Sequence, residues 1–180
     1  METAPLRPAR LAPATTTLVL VLRAAQIVLA LAMVFMAVLG VLFLVPGSVM
    51  QTAFAEAAAA APPPMTMALA CFASVATAAA WFWVLRMLIA VVQTVQAGDP
   101  FVEANISRLR TMWIVIAGTE LFRMVVHSAA DIALSGTSVT PADTGLDIRI
   151  GTWFLVLVIA ALSEAFRFGA EMRREQELTI

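Results

Sequence analysis

The sequence predicts an all-α integral membrane protein, a four-transmembrane-helix bundle with both termini cytoplasmic. Three observations carry that prediction. Hydrophobic residues fill 62% of 180 positions and charged residues 13%, with a mean hydropathy of +0.94, against about 45–50% apolar usage in soluble domains. The chain holds four apolar stretches of about the 20 residues that cross a bilayer core, with little left over. In the segments flanking those stretches, Arg7, Arg10, Arg108, Arg110, Arg173 and Arg174 fall on one side and Arg149 on the other, which puts the arginine-rich side inside.

Residues 1–16 are rich in proline and alanine and read as a short disordered cytoplasmic tail. The apolar run 17–45 is longer than a signal-peptide core of about 7–15 residues and is therefore the first span, stopped by Pro46 and Gly47. Arg23 lies near its inner end and can snorkel to the interface. Residues 47–64 hold Glu56, no positive charge and an alanine run suited to a short surface helix, which Pro62, Pro63 and Pro64 break. The second span, 65–96, carries Ala70, Ala73, Ser74, Ala76 and Ala80, small residues that let a neighbouring helix come close. Trp81, Trp83 and Arg86 in its inner half fit an aromatic belt and a snorkelling arginine.

Gly98 predicts a helix C-cap, and Asp99 with Pro100 an N-cap and a first helical position, so one helix stops where the next starts. Phe101, Val102, Ile106 and Leu109 would be the apolar side of a short helix on the inner membrane surface, with Arg108 and Arg110 at the mouth of the third span, 111–133. The polar, acidic stretch 134–147 is an external loop. The fourth span covers 150–170 and closes a transmembrane domain of residues 17–172. Glu164, Arg167, Glu171 and Arg174 recur at helical spacing and carry the helix into a cytoplasmic extension over 173–180.

The third span is too charged to stand alone in lipid. With about 100° per residue and Glu120 taken as zero, Arg123, His127 and Asp131 fall at roughly −60°, −20° and +20°, a stripe about 80° wide. Each charge facing lipid at the bilayer centre costs about 2.5–3.5 kcal/mol, so the stripe has to face protein. A hydroxyl residue followed by Glu-x-Phe-Arg occurs at Thr119 to Arg123 and again at Ser163 to Arg167. Helical rise puts Glu120 and Glu164 within roughly one turn of the same depth, which predicts an ion pair between spans three and four. The candidate intramembrane polar network is thus Glu120, Arg123, His127, Asp131, Glu164 and Arg167. It reads as a structural polar core, as a ligand-sensing or gating site, or as a path for an ion or substrate.

Residue chemistry excludes other classes. His127 is the single histidine and Cys71 the single cysteine, too few for paired haem ligands or a zinc cage. Met36, Met50, Met65 and Met67 carry thioethers suited to copper, but methionine is ordinary filler in apolar cores. All 11 basic residues are arginine, which removes Schiff-base and P-loop lysine chemistry. Ser128 follows His127 directly and points about 100° away from it on a helix, so the two make no nucleophile and base pair. The expectation is no enzyme, no catalytic residue, no metal and no cofactor. With no basic stripe, no direct contact with nucleic acid is expected either.

What remains outside the membrane is a cytoplasmic face of mixed charge, with Asp99, Pro100, Phe101, Asn105, Arg108, Arg110, Arg173 and Arg174 as candidate docking residues. The connector over residues 98–110, G-D-P-F-V-E-A-N-I-S-R-L-R, together with L-S-E-A-F-R-F-G at residues 162–169 and the terminal E-Q-E-L-T-I, resembles DUF2975, a family of uncharacterised bacterial membrane proteins. The resemblance runs from the second span to the C-terminus. Where many members carry proline after Phe-Val, this chain has Glu103 and Ala104, which caps the connector helix less sharply. The resemblance implies a multi-pass protein of the bacterial inner membrane, often encoded beside a small helix-turn-helix regulator of the Cro/CI type. The functional expectation is a regulatory or sensory membrane partner of such a regulator. The alternative is a transporter or channel accessory subunit that uses the charged stripe. A homo-oligomer is compatible with either.

Overall fold

The structure, a computed structural model, describes residues 13–57, 63–134 and 148–177. These form five helices and, among the described residues, no strand: α1 (Pro13–Leu44), α2 (Val49–Ala57), α3 (Pro64–Gln96), α4 (Glu103–Leu134) and α5 (Ile150–Glu177). Proline opens α1 and α3, at the position where its missing N–H has no intrahelical partner to lose. Residues 13–16, expected in the disordered tail, are therefore helical, while 1–12 lie outside the described residues. The short helix α2 precedes the alanine run, whose residues 58–61 also lie outside them. Its start is held by side chains: Ser48 Oγ accepts the N–H of Gln51 at 3.3 Å, and the Gln51 amide donates to the Phe43 carbonyl at 2.6 Å.

Three helices, α1, α3 and α5, are long and apolar enough to cross a membrane. The long helices pack in chain order, α1 on α3, α3 on α4 and α4 on α5, with no substantial packing of α1 on α5 among the described residues. Among the described residues the helices thus form an open row. α3 and α4 each have a long helix on both flanks, so the charged stripe of α4 lies between two helices. The end helix α1 instead exposes Leu20, Leu31 and Phe35, as a lipid-facing surface would.

The core lies toward the C-terminal part of α3 and the N-terminal half of α4, where Val84 and Val91 meet Leu109, Met112 and Ile116, and Val156 of α5 joins from the other side. Trp81 packs against this cluster, whereas Trp83 is exposed. The buried positions of α4 are Asn105, Leu109, Met112, Ile116 and Glu120. Their spacing of three and four residues makes one continuous seam, apolar in the middle and polar at both ends.

Contacts at the inner end set the register of α5. The Phe101 ring lies 5.5 Å from that of Phe166 and covers Gly169. Ile150 is 19 residues above Gly169, about 28 Å of helix, so α5 starts roughly level with Glu120 rather than with the outer end of α4. Two groupings agree: Arg149 shares a cavity with Arg123 and His127, and Arg167 faces Ile106 and Arg110 across a groove.

Candidate functional site

Two polar centres sit at opposite ends of the α4 seam. At the connector end, α3 is stopped by the turn at Gly98, whose φ of +85° suits glycine. The Gly98 N–H bonds to the Val95 carbonyl at 3.1 Å and the Asp99 N–H to the Thr94 carbonyl at 3.2 Å, closing the helix end. Asn105, with no exposed surface, then ties three segments together. Its amide donates to Thr94 Oγ1 at 2.6 Å and to the Pro100 carbonyl at 3.0 Å, and its oxygen accepts from the Arg108 guanidinium at 2.9 Å. Both donor hydrogens and the acceptor are used, so the buried amide is fully satisfied.

This arrangement corrects two expectations. Asp99 and Pro100 do not begin the next helix: α4 begins at Glu103 and runs unbroken to Leu134, so no separate surface helix exists. Asp99 instead accepts a hydrogen bond from Arg173 of α5 at 2.6 Å, a partner 74 residues away. Phe166, Gly169 and Arg173 lie three, then four residues apart on one face of α5 and receive Phe101 and Asp99 of the connector. The two most distinctive sequence blocks are thus halves of one clamp.

Most of the expected docking residues belong to that clamp. Asn105 is buried and removed from any surface, Pro100 and Arg108 are bonded to it, and Asp99 and Arg173 hold each other half-exposed. Phe101 is pressed on α5. Arg110 and Arg174 remain exposed and line a groove between α4 and α5.

At the other end of the seam, Arg123 donates to Glu120 Oε1 through its terminal nitrogen at 2.6 Å and through Nε at 3.2 Å, with side chains 10% and 6% exposed. Arg123, His127 and Arg149 border a cavity of about 530 Å³ whose opposite wall is Ser74, Thr77 and Trp81 of α3, with Leu29 of α1. A second, apolar cavity of about 480 Å³ opens beside it, lined by Leu69, Phe72 and Ala129. Ala70 and Ala73 border both. Ala70, Ala73 and Ser74 of α3 thus border open space beside α4. α3 packs most extensively on α1, where the missing side chain of Gly40 leaves room for Cys71 and Phe72.

The predicted six-residue network is only partly assembled. Glu120, Arg123 and His127 come together, but His127 is exposed at the cavity, so shelter of the stripe ends at Arg123. The side chain of Asp131 lies outside the described residues. Glu164 and Arg167 pair with each other at 2.9 Å, 60% and 52% exposed, with the guanidinium 5.2 Å from the Phe168 ring. Their expected pairing with span three fails because of register: Glu164 is five residues above Gly169 and so lies near the level of Ile106, about 21 Å below Glu120. The twin motifs also face oppositely, since Glu120 is buried in α4 whereas Ser163, not Glu164, is buried in α5. Arg149 was missed as a cavity residue; it precedes α5 directly, but no spacing rule joins it to α4.

Helices suited to crossing a membrane, packed around one charged seam, define the class: a multi-pass α-helical membrane protein. Residues 48–180 match the family described as protein of unknown function DUF2975, and the chain belongs to that family. No curated protein and no solved structure matches it.

Proposed function

We propose that the protein is a sensory membrane protein of the bacterial inner membrane, with α4 as a fourth span, both termini cytoplasmic, and a small helix-turn-helix regulator as its cytoplasmic partner. One observation carries the reading: the α4 seam runs unbroken from the cavity at Arg123 to the clamp at Asn105. A ligand that fits the cavity better in one placement of α4 against α3 would shift that placement by its difference in affinity, and the clamp would carry the shift to the inner ends of α3 and α5. The spanning role of α4 is supported by its position between α3 and α5, two helices long and apolar enough to cross a membrane. Sensing is favoured over transport because Leu109, Met112 and Ile116 are buried and fill the α4 seam between Arg123 and the clamp.

The test uses the full chain with the regulator encoded beside it. Removing residues 173–180 leaves insertion intact, lowers recovery of the regulator with the membrane protein and changes expression of its target promoter. Glu120→Gln with Arg123→Gln changes expression while recovery stays normal. Unchanged recovery and unchanged expression in the truncated protein would remove this reading and raise transport in its place.

A further inference from the structure

The groove between the inner ends of α4 and α5 holds about 420 Å³ and is walled by Glu103, Ser107 and Arg110 on one side and Arg167, Glu171 and Arg174 on the other. Arg167 is engaged by Glu164. Among the described residues Arg110 and Arg174 have no carboxylate within ion-pair distance, and neither do Glu103 and Glu171 have a cation. The unengaged charges are therefore two positive and two negative, displayed in one concavity. An opening of zero net charge does not select an anion, but separated charges of both signs match a ligand that carries both.

The height of the groove narrows the ligand further. It begins at Arg167, about 26 Å of helix below Ile150. That is close to the thickness of a hydrocarbon core, about 30 Å, so the groove opens at headgroup level. One turn above Arg110, Ile114 is exposed, and on α5 Leu157 is exposed, apolar surface for acyl chains above a polar site. We propose that this groove binds the headgroup of a zwitterionic phospholipid with a primary ammonium, phosphatidylethanolamine. The phosphate lies on the guanidiniums of Arg110 and Arg174, and the ammonium donates to Glu103 and Glu171. Phosphatidylcholine is a poorer fit because its trimethylammonium has no N–H to donate. The site does not depend on the proposed regulator, and its test does not include one.

The purified full chain in detergent is titrated with phosphatidylethanolamine, phosphatidylcholine and phosphatidylglycerol, and bound lipid is counted by native mass spectrometry. Retention of phosphatidylethanolamine exceeds that of the other two by about tenfold, the ratio expected from charge-assisted hydrogen bonds of about 1.5 kcal/mol. Arg110→Gln with Arg174→Gln lowers retention of all three lipids, and Glu103→Gln with Glu171→Gln removes the preference over phosphatidylcholine. All four residues are exposed, and helical content by circular dichroism checks that the variants fold. Equal retention of the three lipids by the unmodified protein, preference for phosphatidylglycerol, or retention unchanged in the arginine variant overturns the proposal. Displacement of the lipid by free phosphoethanolamine at equal concentration would assign the groove to a soluble ligand and overturns it as well.

Discussion

Phe101 occupies the space that a side chain at Gly169 would need: a Cβ there would lie 2.6 Å from Cε1 of the ring. The contact joins residues 68 positions apart and sets how far α5 slides along α4. Gly169→Ala forces the ring outward, off Phe166, and should lower thermal stability of the detergent-solubilised protein by about 1 kcal/mol. Phe101→Leu should cost a similar amount alone, while the double variant should lose less than the sum. Strict additivity in that cycle would show that the two residues do not meet.

Asn105→Ala removes a buried amide and the partners of the Thr94 hydroxyl, the Pro100 carbonyl and the Arg108 guanidinium. The expected loss is about 2–3 kcal/mol, from a cavity together with unsatisfied polar groups. Thr94→Val should cost about 1 kcal/mol, since it removes one of those bonds. Limited trypsin digestion should then reach Arg108 sooner, and unchanged cleavage kinetics in the alanine variant would contradict the clamp.

Glu120→Gln leaves the Arg123 guanidinium buried without its carboxylate and should lower membrane-inserted yield sharply, as losses of about 3–5 kcal/mol do for one member of a buried pair. Replacing both by glutamine should restore most of the yield, because no net charge is then left inside. Glu164→Gln should change stability by less than about 1 kcal/mol, since that pair is exposed. Equal effects at Glu120 and Glu164 would argue against the different burial of the twin motifs.

With Cys71 replaced by serine, a cysteine at position 103 should resist a membrane-impermeant maleimide applied outside cells, whereas one at 135 should react. The reverse pattern would invert the proposed topology.

Composition and hydropathy were enough to read the membrane-like class and the presence of long apolar helices, because each helix must satisfy its own backbone and match the bilayer by itself, although the start of α4 at Glu103 was not legible. The α4 stripe was likewise legible from Glu120 and Arg123, whose angular positions depend only on helical geometry. Partner choice was not. Twin Glu-x-Phe-Arg motifs suggested equal depth, yet packing of Phe101 over Gly169 and pairing of Asp99 with Arg173 moved Glu164 about 21 Å from Glu120. A sequence fixes the angle of a residue around its own helix, but sliding and rotation against a neighbour are decided by contacts between distant residues. The same contacts turned Asn105 from an expected surface residue into a buried hub, and left the helices in an open row with α4 enclosed.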